Sequence, residues 1–327
     1  MKITIGITAG DPAGIGLEVI LKAIPSLLDA ARWVLFVDQA SFLTNLERFQ
    51  PSLSWSPNSE TAPEIQSLLW VHDLGSNPGS TEWGRGNRDT GQIALLALET
   101  AGQTVLDGHL DAIVTAPLNK RRVGGGFRGQ TEFLAEQAGV KSFAMSFFAP
   151  TFKVVLATTH MPLVEAIRTI SKESYIDLIR FVDAEFRRLH YPNPRIGVAG
   201  INPHAGEEGL FGHEEEEILK PAVEECRDAG IKVSGPHPAD SLYFRAHTGE
   251  FDVVVAPYHD QGLIPIKLIS NGAATNVTLG LPYVRTSPDH GTAFDIAGQG
   301  IANPEGMKTA LTRALDLVQR TKSKQTR

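Results

Sequence analysis

The sequence predicts an α/β protein with mostly parallel sheets, and three features indicate this fold class. Short apolar runs rich in Val and Ile alternate along the chain with segments of helical spacing. Polar turns that contain Gly or Pro separate the two kinds of segment. The 327 residues, 42% of them hydrophobic, suffice for one large α/β unit or for two lobes that share a cleft. Strands that alternate with helices imply crossover connections and sheets covered on both faces.

Each predicted element rests on a local pattern. The first part of the chain predicts a strand and glycine-rich turn, a helix, two strands, a long helix and a further strand, namely ITIGITAGDPAGIG, LEVILKAI, ARWVLFVD, SLLWVHDLG, DTGQIALLALETAGQTVLDG and DAIVTAPLNK. The later part predicts strands and helices in alternation, namely FKVVLATTH, SKESYIDLIRFVDAEFRRL, RIGVAGINPH, EEEEILKPAVEECRDAG and DVVVAPYHD. We place a lobe boundary near residues 119–127, where consecutive glycines interrupt the pattern.

Composition excludes several classes of function. The net charge is −7 with acidic and basic residues interspersed, which argues against a nucleic-acid partner. The single cysteine, Cys226, rules out an internal disulfide framework and fits the core of a helix in a reducing compartment. No apolar stretch is long enough to cross a bilayer, and the start, MKITIGITAGD, predicts a strand rather than a signal peptide. We therefore expect a cytoplasmic protein without a membrane partner.

Three predicted strands end in a histidine: VVLATTH at His160, GVAGINPH at His204 and VVVAPYH at His259. In an open parallel sheet, ligands bind outside the carboxyl ends of the strands, so residues just past those ends converge on one crevice. A single histidine at such a place most often closes a strand and satisfies backbone groups of the loop. Three in the same topological position instead indicate a metal site, with Zn²⁺ or another borderline first-row cation and coordination positions left open for substrate.

Asp260 directly follows His259 and has two possible roles. Its carboxylate could accept a hydrogen bond from the imidazole, or it could cap the next turn, and the sequence supports both equally. His213 opens the run HEEEEI, where the glutamates complement the dipole of a first helical turn, so this run is interpreted as a solvated helix start.

Cationic residues near the strand ends suggest an anionic substrate. Lys120 ends TAPLNK, Lys267 lies eight residues beyond His259, and Arg285 lies in LPYVRTSPDHG. Lys and Arg on cleft loops suit phosphate or carboxylate, although each alone is as often an ordinary surface cation. The turn in TAGDPAGIGLEVI matches neither the G-x-G-x-x-G nor the Walker pattern, and close packing of the helix start explains its glycines equally well.

Together these motifs resemble the 4-hydroxythreonine-4-phosphate dehydrogenases of vitamin B6 biosynthesis. The resemblance covers nearly the whole chain, through GITAGDPAGIGLEV, DAIVTAPLNK, GQTEFLA, TTHMPL, GINPHAGEEGLFGHEE, GPHPADSLYF, YHDQGLIPIK and GLPYVRTSPDHGTAFDIAGQGIANP. It implies the fold of isocitrate and isopropylmalate dehydrogenases, with a first lobe of residues 1–120 and 270–327 on the cofactor side and a second of residues 121–269 on the metal and dimer side. It also implies a homodimer with the active site at the subunit interface.

The resemblance assigns residues to that site. It implies a divalent metal (Zn²⁺, Co²⁺ or Mg²⁺) on the three histidines, substrate contacts at Thr131, Lys267, Asn276 and Arg285, and NAD or NADP contacts at His290, Gly291, Thr292 and Asp295. The last set follows from the similarity of HGTAFDIAGQGIANP to the adenosine-binding loop of the decarboxylating dehydrogenases. Gln130 departs from the family pattern, which has a histidine there in GHTE. Glutamine still donates to a phosphate or carboxylate, but it carries no positive charge and relays no proton, which bears on the substrate more than on the chemistry.

The implied reaction is oxidation of a small phosphorylated amino acid, 4-phosphooxy-L-threonine, at its secondary alcohol, followed by loss of CO₂ from the β-keto acid. The metal would lower the pKa of the hydroxyl and the nicotinamide would take the hydride. Asp240 in HPADS, Asp260 and Lys267 are the candidate proton acceptors. Three alternatives stay open: a sibling dehydrogenase acting on threonate or erythronate 4-phosphate, an acyl or phosphoryl transferase on a related fold, and a non-catalytic anion-binding module.

Overall fold

The structure is a computed structural model that describes residues 2–57, 68–76 and 82–322. Its strands are β1 (Thr4–Thr8), β2 (Arg32–Val37), β3 (Ser56–Pro57), β4 (Leu69–Asp73), β5 (Ala112–Thr115), β6 (Ala144–Phe148), β7 (Lys153–Leu156), β8 (Ile196–Ala199), β9 (Val233–His237), β10 (Val253–Ala256), β11 (Thr275–Leu279) and β12 (Val284–Pro288). Its α-helices are α1 (Gly16–Ala23), α2 (Gln39–Phe49), α3 (Arg88–Leu106), α4 (Lys120–Val123), α5 (Gln130–Gln137), α6 (Leu163–Thr169), α7 (Lys172–Arg188), α8 (Lys220–Asp228), α9 (Ala239–His247), α10 (His259–Ser270) and α11 (Glu305–Lys322). The strands and helices predicted from the sequence are all present, which confirms the α/β class.

The chain divides into two compact units, and unit 1 consists of Met1–Phe143 and Thr275–Arg327. Its strands are ordered β3-β4-β2-β1-β5-β12-β11. Neighbouring strands run parallel except β11 and β12, which are antiparallel. The carboxyl ends of β1, β5 and β12 therefore lie at the same edge of the sheet, where ligands of open α/β sheets bind.

Unit 2 consists of Ala144–Ala274, with the strand order β6-β7-β10-β8-β9. The β6 and β7 strands are antiparallel, and the other neighbours are parallel. The central strand β10, VVVA, is buried at every residue. A parallel strand in mid-sheet is covered on both faces, which explains why the sequence shows an unbroken run of valines rather than an alternating pattern.

The first unit extends beyond the lobe bounds drawn from the sequence, which end at residue 120 and resume at residue 270. Leu134 and Ala135 of α5 lie in the same buried cluster as Ala97 and Leu98 of α3. This apolar packing holds the stretch that follows α4 within unit 1.

Each unit has its own buried apolar cluster. In unit 1 the cluster joins β2, α3 and α5 and includes Phe36 and Leu134, and in unit 2 it joins β7, β10, α9 and α10 and includes Phe152 and Ile266. Cys226 is buried in α8, as its helical spacing predicts, and burial raises the pKa of its thiol. No helix in the described part of the chain has the length and hydropathy needed to cross a bilayer.

Candidate active site

The three strands that end in histidine are neighbours in unit 2, in the order β7-β10-β8. All three run parallel, so His160, His204 and His259 follow carboxyl ends that lie at one edge of the sheet. The three histidines thus follow neighbouring strand ends, as the sequence pattern predicts. The distances between the side chains depend on the loops that follow each strand.

His160 and His259 lie close together. Their ring centroids are 5.5 Å apart with an angle of 46° between the ring planes. Both line a cavity of about 270 Å³ whose other walls are Thr159, Met161, Leu163, Ala166, Tyr258 and Asp260. Two imidazoles on one tetrahedral Zn²⁺, at Zn–N distances of about 2.0–2.1 Å, have centroids roughly 5 Å apart, so this pair fits a shared cation.

Asp260 orients His259. The Nδ1 atom of His259, at the first residue of α10, lies 2.7 Å from Oδ1 of Asp260. A carboxylate only accepts, so the contact assigns the proton to Nδ1 and leaves the Nε2 lone pair available to a cation. The sequence left two roles open for Asp260, contact with the imidazole or capping of the next turn. The structure shows the contact with the imidazole.

His204 lies on a loop with an unusual backbone conformation. His204, Ala205, Glu207 and Glu208 all have positive φ angles of 42–56°. The buried carboxylate of Glu215 fixes the start of this loop, because its Oε1 accepts from the backbone N–H groups of Ile201 and Asn202, each at 2.7 Å. The side chain of His204 is exposed and lies beside Phe211, with ring centroids 6.1 Å apart.

Within one chain the three imidazoles do not form one metal site. Across residues 2–57, 68–76 and 82–322, no group of three His, Cys, Asp or Glu side chains is placed to hold a metal ion. His160 and His259 fit a cation as a pair, and a single chain does not bring His204 to them. The metal assignment stays a prediction.

The remaining site residues of unit 2 lie on helices at the same side of its sheet. Lys267 is on α10, eight residues after His259, which separates their Cα atoms by about 12 Å at 1.5 Å of rise per residue. Asp240 is exposed in the first turn of α9, and its Oδ1 accepts from the backbone N–H of Ser241 at 2.8 Å. The structure thus gives Asp240 a local partner, and the assignment of a proton acceptor stays a prediction.

In unit 1, Arg285 is a buried cation held by neutral oxygens. Its guanidinium donates from Nε and Nη2 to Oγ1 of Thr115, at 3.1 and 2.6 Å, and from Nη1 to Oγ1 of Thr131 at 3.2 Å and of Thr278 at 3.0 Å. Nη2 also donates to Oε1 of Gln130 at 3.4 Å. These contacts bring together Gln130, Thr131 and Arg285, three of the residues that the resemblance assigns to substrate binding.

Among the described residues no carboxylate forms a salt bridge with Arg285, although Glu132 lies near enough to attract its charge. Arg285 is 3% exposed and makes no ion pair with an acid in the described part of the chain. Burial lowers the pKa of its guanidinium to about 10. Neutral hydroxyl and amide oxygens compensate a buried charge less fully than an anion does, so the arrangement favours an anionic ligand that would supply a counter-charge.

Asn276 lies on the same face of the sheet as Arg285. Thr278 pairs with Arg285 across β11 and β12, and Asn276 is two residues before Thr278. Side chains alternate along a strand, so all three point to one side. The Oδ1 atom of Asn276 is buried and accepts no hydrogen bond from a described residue, which leaves it available to an N–H or O–H of a ligand.

The predicted cofactor loop packs against the first glycine-rich turn. The backbone N–H of Ile15 donates to the carbonyl of Thr292 at 3.1 Å, and a Cβ on Gly14 would lie 2.9 Å from that same carbonyl oxygen. Gly14 is thus required by close backbone approach. The buried Nε2 of His290 has no hydrogen-bond partner among the described residues, so this loop has a polar atom that a dinucleotide could satisfy. Gly291 and Asp295 are exposed on the same loop.

Sequence reasoning missed three residues that shape these sites. Thr115 accepts two N–H groups of Arg285, and Glu215 anchors the loop of His204. Asp11 is a buried carboxylate in the first glycine-rich turn of unit 1. Oδ1 of Asp11 accepts from the backbone N–H of Ala13 at 3.0 Å, and burial raises the pKa of this carboxyl. All three lie inside motifs that carry the family resemblance. That resemblance could have indicated their importance, whereas no local spacing of residue types does.

Comparison with known proteins gives consistent matches along the chain. The family described as pyridoxal phosphate biosynthetic protein PdxA matches residues 29–314. A D-threonate 4-phosphate dehydrogenase of Cupriavidus necator is 42% identical over 324 residues, which is 97% of this chain and 97% of that protein. The crystal structure of a 4-hydroxythreonine-4-phosphate dehydrogenase from Klebsiella pneumoniae superposes with a TM-score of 0.88 at 38% identity, over 98% of this chain and 99% of that one. A β-decarboxylating dehydrogenase from Thermococcus kodakarensis, at 16% identity and a TM-score of 0.52 over 96% of this chain and 83% of that one, shares the fold, which confirms the predicted fold class.

Proposed function

The chain belongs to the family of the pyridoxal phosphate biosynthetic protein PdxA, a family of dehydrogenases, and from this premise we propose that it oxidises 4-phosphooxy-L-threonine with NAD⁺. The product would be a β-keto acid, which loses CO₂ to give 3-amino-2-oxopropyl phosphate. The buried Arg285 cation, which has no carboxylate partner among the described residues, is the observation that carries the proposal. It supports a substrate that carries a phosphate or a carboxylate at the end bound there.

The substrate's anionic end binds at Arg285, beside Thr131 and Asn276. Its oxygens would take over N–H groups that now go to threonine hydroxyls, because a charge-assisted hydrogen bond is about twice as strong as one to a neutral acceptor. Asn276 Oδ1 accepts from the substrate's amine or hydroxyl, which fixes the orientation of the reacting carbon.

NAD⁺ or NADP⁺ supplies the hydride acceptor when bound. The loop of His290, Gly291, Thr292 and Asp295 holds the dinucleotide, with the Nε2 atom of His290 donating to it or accepting from it. The close packing of Thr292 on the glycine-rich turn keeps this loop rigid.

A divalent cation (Zn²⁺, Co²⁺ or Mg²⁺), held by His160 and His259 of one chain and His204 of a second, would supply Lewis-acid polarisation of the substrate oxygen. Two observations support the homodimer that this assignment needs. One chain supplies only an incomplete set of ligands in its described part. Exposed apolar side chains also lie on the segments that carry the histidines: Met161 follows His160, Phe211 contacts His204, and Ile264 and Leu268 lie on the helix that His259 begins.

Proton transfer falls to Asp240, Asp260 or Lys267. Asp260 is in contact with His259 and serves chiefly to orient that imidazole. Asp240 and Lys267 are then the candidates for the group that removes the proton of the hydroxyl, and Lys267 of α10 also binds an anionic end of the substrate.

A second candidate is a dehydrogenase for D-threonate 4-phosphate, which has a hydroxyl in place of the amine. Gln130 supports it, because the neutral amide donates to the backbone carbonyl of Ala116 at 3.1 Å and accepts from Arg285, so it brings no charge to the site. The relative from Cupriavidus necator is named for this substrate.

The test is a panel of 4-phosphooxy-L-threonine, D-threonate 4-phosphate and erythronate 4-phosphate, each assayed with NAD⁺ and with NADP⁺ by absorbance of the reduced nicotinamide. Turnover of the amino acid at least tenfold above the two sugar acids supports the first candidate, and the reverse supports the second. If none of these is oxidised while an acyl phosphate turns over, the chain is a transferase and the dehydrogenase proposal is wrong.

The metal assignment is tested separately by metal content. Purified wild-type protein dialysed against Zn²⁺ should retain about one ion per chain by elemental analysis, and His204→Ala should lose it together with turnover. His213→Ala, two residues before the helical segment that begins at Glu215 and outside the three strand ends, is the control and should keep the ion. Retention of zinc and turnover by His204→Ala would remove His204 from the site.

A further inference from the structure

A separate cavity in unit 1 is lined by cations and by glycine backbone. It has a volume of about 340 Å³, and its walls are Arg88, Arg121, Arg122, Val123, Gly124 and Gly125. We call it the arginine cavity. Its walls contain three guanidinium groups and no acidic residue, and none of these six residues belongs to the sites described above.

The backbone that carries the arginines is fixed. Asn119 caps α4 by accepting from the backbone N–H groups of Arg121 and Arg122, at 3.1 and 3.3 Å. The Nε2 of Gln92 in α3 donates to the carbonyl of Val123 at 2.8 Å, which ties the two helices together. A Cβ on Gly91 would lie 2.3 Å from the backbone of Arg122, so the helices approach as closely as a glycine permits. The three arginines therefore extend from a preformed scaffold.

No acidic side chain among the described residues is paired with the arginines of this cavity. Arg88, Arg121 and Arg122 make no ion pair in the described part of the chain, whereas Arg187, Arg195 and other exposed arginines do. Glu132 and Glu136 line the adjoining cavity but not this one. Asp11, whose pKa is raised by burial, feels the charge of Arg122, yet it is buried and does not line the cavity. Three like charges facing one cavity repel one another, and an anion relieves that repulsion.

The glycines beside the arginines open the backbone toward the cavity. Gly124, Gly125 and Gly126 have φ angles of +71°, +59° and +77°. A Cβ on any of them would meet nothing within 4 Å, so packing does not require glycine there. The positive φ angles are themselves the requirement for glycine, and the absence of side chains at Gly124 and Gly125 leaves that wall of the cavity open.

From these observations we propose that the arginine cavity binds a phosphate group, either free or at the end of a nucleotide, at a site separate from Arg285. A guanidinium presents paired N–H donors that match the oxygens of a phosphate, so three of them select a multiply charged oxyanion over chloride. The volume accommodates a phosphate together with part of an attached group.

The experiment is isothermal titration calorimetry of the full-length protein with inorganic phosphate, pyrophosphate, NAD⁺ and NADP⁺. The variant is the double substitution Arg121→Gln and Arg122→Gln, which keeps the length and polarity of the side chains. The matched control is Arg128→Gln, an exposed arginine that lines the adjoining cavity. Each lost guanidinium contact is expected to weaken binding about tenfold, a charge-assisted hydrogen bond being lost.

Two results support the site and identify its source of phosphate. If the double variant weakens pyrophosphate and phosphate binding and leaves both dinucleotides unchanged, the cavity takes a free anion. If it weakens NADP⁺ selectively while NAD⁺ binds as before, the cavity takes the additional phosphate of the nucleotide. If the double variant binds every probe as the wild type and Arg128→Gln do, the proposal is overturned. Because the readout is binding alone, the outcome is independent of which substrate the enzyme oxidises.

Discussion

Removing the hydroxyl of Thr115 tests how the Arg285 cation is held. Thr115 is fully buried at the end of β5, and its Oγ1 accepts two N–H groups of the guanidinium, at 3.1 and 2.6 Å. Thr115→Val keeps the shape of the side chain but removes both hydrogen bonds, so that Nε has no acceptor and Nη2 keeps only the 3.4 Å contact to Gln130. Thr278→Val is the matched control, because Thr278 is equally buried and accepts a single N–H at 3.0 Å.

The expected losses of stability follow from the number of hydrogen bonds that each substitution removes. A buried hydrogen bond to a charged group is worth about 1.5–3 kcal/mol, so Thr278→Val should cost about 1–2 kcal/mol and Thr115→Val about 3–4 kcal/mol after partial relaxation. For a unit of about 200 residues each kcal/mol corresponds to roughly 2–4 °C in Tm. Thr115→Val should therefore melt roughly 6–16 °C below the wild type, and its loss should be about twice that of Thr278→Val.

The assay is thermal unfolding at pH 7.5 and fixed protein concentration, repeated with saturating 4-phosphooxy-L-threonine or D-threonate 4-phosphate. The bound anion should restore part of the lost Tm, because its oxygens accept from the N–H groups that the substitution leaves unpaired. Equal losses for the two variants, or a Thr115→Val protein that melts with the wild type, would refute the contact geometry argued for Arg285.

Three further predictions concern other sites. Glu215→Gln should lower the free energy of unfolding by about 2 kcal/mol and weaken zinc retention, since the buried carboxylate anchors the His204 loop through two 2.7 Å hydrogen bonds. Thermal melts and elemental analysis check this, with the exposed Glu216→Gln as the control. A Glu215→Gln protein with unchanged stability and zinc content would contradict it. Leu268→Glu should give a monomer by light scattering and lose turnover, because Leu268 is 76% exposed on α10, the helix that begins at His259, while Leu43→Glu in unit 1 should keep the wild-type mass. A Leu268→Glu dimer would contradict the assembly. Asp11→Asn should raise Tm at pH 7.5 and leave it unchanged near pH 3.5. Burial raises the pKa of Asp11 in the folded state above 3.8, so at higher pH its ionised form destabilises the folded state. The neutral amide of asparagine removes this cost. A gain in Tm at both pH values would show that ionisation is not the cause.

The predicted elements followed from periodicity, which is a local property. The unbroken valines of β10 and the helical spacing of α7 and α8 each show their structure within a few residues. Strands β6, β9, β11 and β12 gave weaker signals. Polar, glycine or proline residues interrupt β9, β11 and β12, and β6 is a short strand that pairs with β7 directly after it. The antiparallel pair β11–β12 in particular was absent from the prediction.

The candidate site was predicted unevenly for the same reason. The three strand-end histidines could be found because each pattern contains both the strand and its polar terminus. The partners of Arg285 could not, because Thr115 and Thr131 are 170 and 154 residues away in the chain and a threonine in a strand is ordinary. Likewise, nothing local distinguishes Arg121 and Arg122 from surface cations until α3 and α4 close around them.

By itself the sequence determined the order of strands and helices and the sheet edge at which His160, His204 and His259 stand, because side-chain periodicity and chain connectivity are written in consecutive residues. Tertiary structure alone decided that Arg285 is buried among neutral hydroxyls, that His160 and His259 pair within one chain, and that the loop of His204 turns its imidazole elsewhere. Those facts depend on which distant segments pack together and on how much water they exclude. Consecutive residues do not show whether a charge is buried, because burial is produced only when the folded chain excludes solvent from it.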